Sequence, residues 1–189
     1  KKLVLNKNII SKIESNSFQD LISLEILNLN DNCIFHLDVD LFSKLESISN
    51  LELSNNLIVR LDKNLFSNLS TLEVIRLDSN KITYLHPDIF SNLKRIFSIN
   101  LTENALRKID LNVFNNLQNL NYLYLGNNPY IVEGSKISKV IYLPEIYVLD
   151  LRKTSKNLIK MFDLSKSFYL RDLDLTENKL ELEDLESIN

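Results

Sequence analysis

The side chains that could perform chemistry are few, and they are badly spaced for catalysis. His36 and His86 are the only histidines and Cys33 the only cysteine. A zinc site needs three or four ligands. Two histidines at different registers of the chain and one thiol do not supply them. There is no G-x-S-x-G nucleophile elbow, no phosphate-cradling glycine loop and no H-E-x-x-H metalloprotease signature. The sequence thus reads as a non-enzyme that needs no cofactor. What remains is the chemistry of recognition. Phe97, Tyr122, Tyr124 and Tyr147 recur at intervals that would gather them on one surface. Aromatic residues, Tyr above all, give binding hot spots large area and a polar tip at low rotamer entropy. Arg76 is the lone base among Glu25, Asp31, Glu52, Glu73, Asp78 and Glu103. That acidic bias would steer a basic patch on a partner. The expected ligand-binding residues are therefore Arg76, Phe97, Tyr122, Tyr124 and Tyr147.

These residues need a scaffold, and a fixed period supplies one. Asn8, Asn32, Asn56, Asn80, Asn104 and Asn128 are each 24 residues apart. Phe18, Phe42, Phe66, Phe90 and Phe114 keep the same step, always ten residues after their Asn. A period between 20 and 50 residues signals a stacked repeat architecture. Each unit carries L-x-x-L-x-L before its Asn, as in Leu72-Glu-Val-Ile75-Arg-Leu77-Asp-Ser-Asn80. The last two apolar positions alternate and so point to one face of a short strand, while the residues between them face the other way. One such strand cannot bury its apolar side alone. Stacked copies make a parallel sheet that the returning coils cover. A carboxamide offers both donor and acceptor, so a buried column of Asn32, Asn56, Asn80 and Asn104 can satisfy the turn backbones of neighbouring coils. Phe42, Phe66, Phe90 and Phe114 should form an internal spine.

Bulk composition fits this reading. The 189 residues carry a formal net charge of -3 and are 44% hydrophobic. Mild acidity argues against nucleic acid as the main partner. No apolar run approaches the roughly 18 residues of a membrane span. The expected fold is an α/β solenoid, curved, with a parallel sheet on the concave face and irregular or short helical convex segments. It forms a single unit over residues 1–189. Regular repeats run through 1–128, irregular ones through 129–169, and a final partial repeat through 170–189. The chain opens inside a repeat, so it is expected to be a piece of a longer array.

The repeats resemble the leucine-rich repeat consensus, L-x-x-L-x-L-x-x-N-x-L, in its typical 24-residue form. That form is most familiar from extracellular arrays such as Toll-like receptor ectodomains, adhesion proteins and secreted insect immune proteins. The resemblance implies recognition of a protein ligand or co-receptor on the concave face, with homo- or hetero-dimers as a further option. It also implies an extracellular or secreted location and a role in innate immunity. A cytosolic scaffold, or an adhesion or matrix protein using the array for homophilic contact, are the alternatives.

Departures from the pattern carry expectations of their own. Leu125-Gly-Asn-Asn128-Pro129-Tyr130 resembles the entry into the cysteine-rich cap of extracellular members, yet no cysteines follow. The pattern resumes at Ile146, with Thr154 in the Asn position. Val140 and Leu143 should fill the Phe and Leu slots, and Gly134 and Pro144 should mark an altered loop. Residues 157–162 should form a short convex helix. Cys33 should be half-buried. Asn68 and Asn100 open glycosylation sequons, although composition alone would give about three.

Overall fold

The computed structural model describes residues 1–129, 131–133 and 141–185. Gly134 and Val140 lie outside the described residues. The strands are β1 (Lys2–Val4), β2 (Ile26–Asn28), β3 (Asn50–Glu52), β4 (Val74–Arg76), β5 (Ser98–Asn100), β6 (Lys108–Ile109), β7 (Tyr122–Tyr124), β8 (Val132–Glu133), β9 (Ile141–Tyr142), β10 (Val148–Asp150), β11 (Phe162–Asp163) and β12 (Asp172–Asp174). Each main strand is the three-residue centre of one L-x-x-L-x-L unit. Its middle residue is the apolar one, buried in β2 to β5, β7 and β10. Eight of the strands form one parallel sheet in the order β1-β2-β3-β4-β5-β7-β10-β12. Neighbours pair at an offset of 24 residues, as in Leu51 with Ile75. Between β7 and β10 the offset is 26, with Leu123 opposite Leu149. The two extra residues are absorbed in the return loop, so the inward face never slips.

The Asn column works as expected. Asn80 Nδ2 donates to the carbonyls of Leu53, Leu77 and Asp78 at 2.9, 3.1 and 3.2 Å. Its Oδ1 accepts from the Ile58 N–H of the preceding coil at 3.0 Å. Asn32, Asn56, Asn104 and Asn128 repeat this arrangement. Thr154, being shorter, donates its hydroxyl to Leu151 O of its own coil at 2.6 Å and, more distantly, to Asn178 Oδ1 at 3.3 Å, while its N–H is taken by the same Asn178 Oδ1. The phenylalanine spine is equally regular. Phe18, Phe42, Phe66, Phe90 and Phe114 stack with ring centroids 6.2–6.4 Å apart and planes within 6–20°. The residue before each buried Asn turns the chain with a positive φ: Asp31, Asn55, Ser79, Glu103 and Asn127 lie between 53° and 56°. No glycine serves at these left-handed corners.

Three expectations need correction. Cys33 is exposed, not half-buried. Its N–H donates to Ile10 O of the neighbouring coil, which turns the side chain outward, as it does for Leu57. The convex helix is one turn only, α1 (Lys156–Ile159), capped by Ser155. It stops early because Met161 O accepts from the Ile141 N–H and Phe162 enters β11. Small parallel pairs β6–β8 and β9–β11 also form in the return segments, where irregular chain or short helix was expected. A second one-turn helix, α2 (Leu182–Leu185), follows the last strand. Among the described residues, no helix is long and apolar enough to cross a membrane.

Candidate functional site

In every main strand the apolar middle residue points inward, so the first and third residues form two columns on the concave face. Phe97 and Tyr147 sit just before their strands and extend the face at the end where the strands begin. The structure joins the aromatics into a series. The ring of Phe97 meets Tyr122 at 6.3 Å, Tyr122 meets Tyr147 at 6.0 Å, and Tyr147 meets Tyr169 at 5.9 Å, with interplanar angles of 67–89°. Edge-to-face contact places the electropositive rim of one ring on the negative face of the next, a favourable geometry for aromatic pairs. Phe97, Tyr122 and Tyr147 stay half-buried and Tyr169 is exposed, so much of this aromatic area meets solvent. Arg171 lies over the Tyr147 ring at 5.3 Å, a cation–π contact.

Two members of this group were not anticipated from the sequence. Tyr169 precedes the first Leu of its repeat, in a column held elsewhere by Ser47, Thr71, Arg95 and Asn119. Arg171 follows that Leu. Neither departs from the apolar pattern, so only their proximity to Tyr147 marks them.

Tyr124 does not join the ring series. It faces the other column, where it lines a dent of about 400 Å³ with Asn100, Asp150, Arg152, Asp172 and Asp174. The register sets Tyr124 beside Asp150 and Asp150 beside Asp174. Asp150 is buried, and its carboxylate lies against Gly126, where an added Cβ would meet Oδ1 at 2.6 Å and Oδ2 at 2.7 Å. Glycine serves here for close approach rather than for an unusual φ, since any larger residue would have to displace the Asp150 carboxylate and the Arg152 stem. Burial pushes the Asp150 carboxyl above its ordinary range. The backbone N–H and guanidinium of Arg152 pull it back, and Asp174 and Asp172 push it further up. Arg152 holds the pair loosely, with Nε 3.5 Å from Asp150 and Nη1 3.9 Å from Asp174. Asp174 is lowered by the Thr176 hydroxyl and N–H donated to it. Burial raises the Tyr124 hydroxyl, the neighbouring Tyr122, Asp150 and Asp172 add to the rise, and Arg76 opposes it. Arg76 itself is exposed on β4, across Asn100 from Tyr124.

The sequon residues sit differently. Asn68 is exposed on the return side, its Nδ2 donating to Ser43 O at 3.1 Å. Asn100 is half-buried in the sheet, its Oδ1 accepting from the Thr102 N–H at 3.0 Å. His36 and His86 are not brought together with other ligands, and no cluster of His, Cys, Asp and Glu suited to a metal occurs among the described residues.

Fold and face together define a class: an open solenoid that presents a parallel sheet as a binding surface. The family model described as Leucine rich repeat matches residues 1–58 and 46–106, more than half of the chain. The chain belongs to the leucine-rich repeat family. Among solved structures, the complex of TLR13 with ssRNA13 is similar at 22% identity and a TM-score of 0.68, over 96% of this chain and 30% of that one. The Toll–Spatzle complex from Drosophila is similar at 20% identity and a TM-score of 0.68, over 94% of this chain and 27% of that one. A leucine-rich repeat protein of Leptospira interrogans follows at 22% and 0.64, over all of this chain and 58% of that one. At these identities the likeness is one of fold. The chain spans less than two thirds of each of these proteins. No curated protein sequence matches it.

Proposed function

We propose that this array is a protein-recognition module whose ligand lies on the concave face of the C-terminal four main-sheet strands. The observation that carries this reading is the solvent-facing aromatic series Phe97, Tyr122, Tyr147 and Tyr169. Half-exposed rings in mutual contact offer rigid apolar area, as hot spots do. Eight strands about 4.8 Å apart give a face roughly 34 Å wide, ample for a protein contact. Tyr124 and Arg76 border the series on the sheet and belong to the same surface. The module acts by binding and not by catalysis, and it belongs to an extracellular receptor or a secreted immune protein. A protein ligand is favoured over nucleic acid because the face is acidic where phosphate would have to lie.

The test is a double substitution, Tyr122→Ala with Tyr147→Ala. Affinity for a protein ligand should fall at least a hundredfold while the far-UV circular dichroism and melting curve stay close to wild type. An unchanged affinity refutes the placement. A cytosolic scaffold is the second reading, favoured by the exposed Cys33 thiol. A disulfide-linked species in oxidised, purified protein would favour the secreted one.

A further inference from the structure

The two sides of the C-terminal face differ in chemistry, and the difference specifies the partner. Phe97, Tyr122, Tyr147 and Tyr169 run along the end of the sheet where the strands begin. Beside them lie Asp150 and Asp174 at the strand ends and Asp172 at the start of the last strand, with Asp78 and Glu103 closing the dent around Tyr124. The register makes this a slot. Tyr122 is opposite Val148 and Val148 opposite Asp172, so a short side chain floors the space between a tyrosine wall and a carboxylate wall.

The charges in the slot are incompletely answered. Arg152 is the one base lining it, and it approaches Asp150 and Asp174 only at 3.5 and 3.9 Å. Asp172 is exposed. Three aspartates on two adjacent strands repel one another, and like charges side by side on a sheet are destabilising. A cation from outside would relieve that repulsion. The aromatic wall suits the same guest, because ring faces attract ammonium and guanidinium groups. Arg171 over Tyr147 shows that a guanidinium lies on a ring of this series.

We propose that the face of the last four main-sheet strands takes a basic protein segment, with a partner Lys or Arg side chain seated between Tyr124 and Asp172. The apolar parts of that segment lie along Phe97, Tyr122 and Tyr147. This inference rests on the concave-face reading above and adds the charge and shape of the ligand. Charge complementarity argues for this occupant: the slot carries five carboxylates against one guanidinium.

The experiment pans a random 12-residue peptide library, displayed on phage, against the full chain. Selected peptides are then synthesised and their affinities measured. Enrichment in Lys and Arg, together with weaker binding at higher salt, is the expected result. Asp172→Asn with Asp174→Asn should weaken those peptides roughly tenfold, the scale of two partly screened charge contacts. Asp31→Asn with Glu25→Gln, at the far end of the sheet, should leave them unchanged. Tyr122→Ala with Tyr147→Ala tests the underlying reading separately. Peptides that need the tyrosines but are acidic or neutral overturn the basic-segment inference and leave concave-face recognition standing. Peptides indifferent to the tyrosines overturn both. A 20-nucleotide oligothymidine that binds in a tyrosine-dependent way, where basic peptides do not, overturns the choice of a protein segment.

Discussion

Replacing Asn80 with Ala isolates what the asparagine column contributes, and the structure sets the magnitude. Asn80 makes four hydrogen bonds, three as donor and one as acceptor. The three carbonyls do not become orphans. Leu53 O still accepts from Asn56 Nδ2 at 3.2 Å, Leu77 O from Asn104 Nδ2 at 3.0 Å, and Asp78 O from the Asn55 N–H at 3.0 Å. The Ile58 N–H has only Asn80 Oδ1, and Ile58 is fully buried. The cost is therefore that of one orphaned buried N–H plus weakened carbonyl partners, about 1–3 kcal/mol. Asn80→Asp separates the two halves. It keeps the acceptor for Ile58 but sets an ionised carboxylate against three carbonyl oxygens, so at neutral pH it should destabilise more than Ala, with the excess shrinking as acid protonates the carboxyl. Urea denaturation followed by circular dichroism measures both variants. Amide hydrogen exchange at Ile58 gives a local reading, because repeat arrays can open regionally. A cost under about 0.5 kcal/mol with unchanged Ile58 protection would refute the role given to the column.

Phe66 is fully buried between Phe42 and Phe90, so Phe66→Ala should cost about 3–5 kcal/mol in the same urea titration. Lys153 holds a φ of 47°, and its ion pair with Glu177 is long and exposed. Lys153→Gly should thus stabilise by about 1 kcal/mol, read as a raised melting temperature, because glycine relieves left-handed strain. Asp184 accepts the Glu181 N–H and lies 2.9 Å from the Lys160 ammonium, which hold its carboxyl at about 2. A folded value below the ordinary 3.8 means that its contribution is present above 3.8 and is lost as pH falls toward about 2. Asp184→Asn should flatten that part of the acid-unfolding profile, and a carboxyl NMR titration of Asp184 near its ordinary value would contradict the assignment.

The scaffold was legible because its residues answer to a period. Asn80 and Phe66 each have copies 24 residues away, and identical environments in successive coils leave identical traces in the sequence. The aromatic face was legible in part. Phe97, Tyr122 and Tyr147 stood out as large outward residues, but Tyr124 was grouped with them although it turns toward the carboxylates, since adjacency in sequence does not say which column's neighbours a long side chain leans on. Tyr169 escaped because its contact with Tyr147 runs diagonally across coils, where no repeat position predicts reach. Arg171 stands directly across from Tyr147 at the same repeat position, but a charged residue there carries no aromatic signal. The lateral pairs β6–β8 and β9–β11 were also missed. The β6–β8 pair keeps the 24-residue step and β9–β11 a step of 21, but none of these two-residue strands carries an apolar alternation long enough to mark it.

The central claim is that ligand contact falls on the aromatic and carboxylate face of the last four main-sheet strands. Hydrogen exchange of the full chain, with and without a saturating selected peptide, tests it most directly. Protection should rise across residues 97–102, 121–126, 147–152 and 169–174 and stay level at the convex turns around residues 62–70. Protection gained at those turns, or along the lateral edge around Cys33 and Leu57, with the concave strands unchanged, would contradict it.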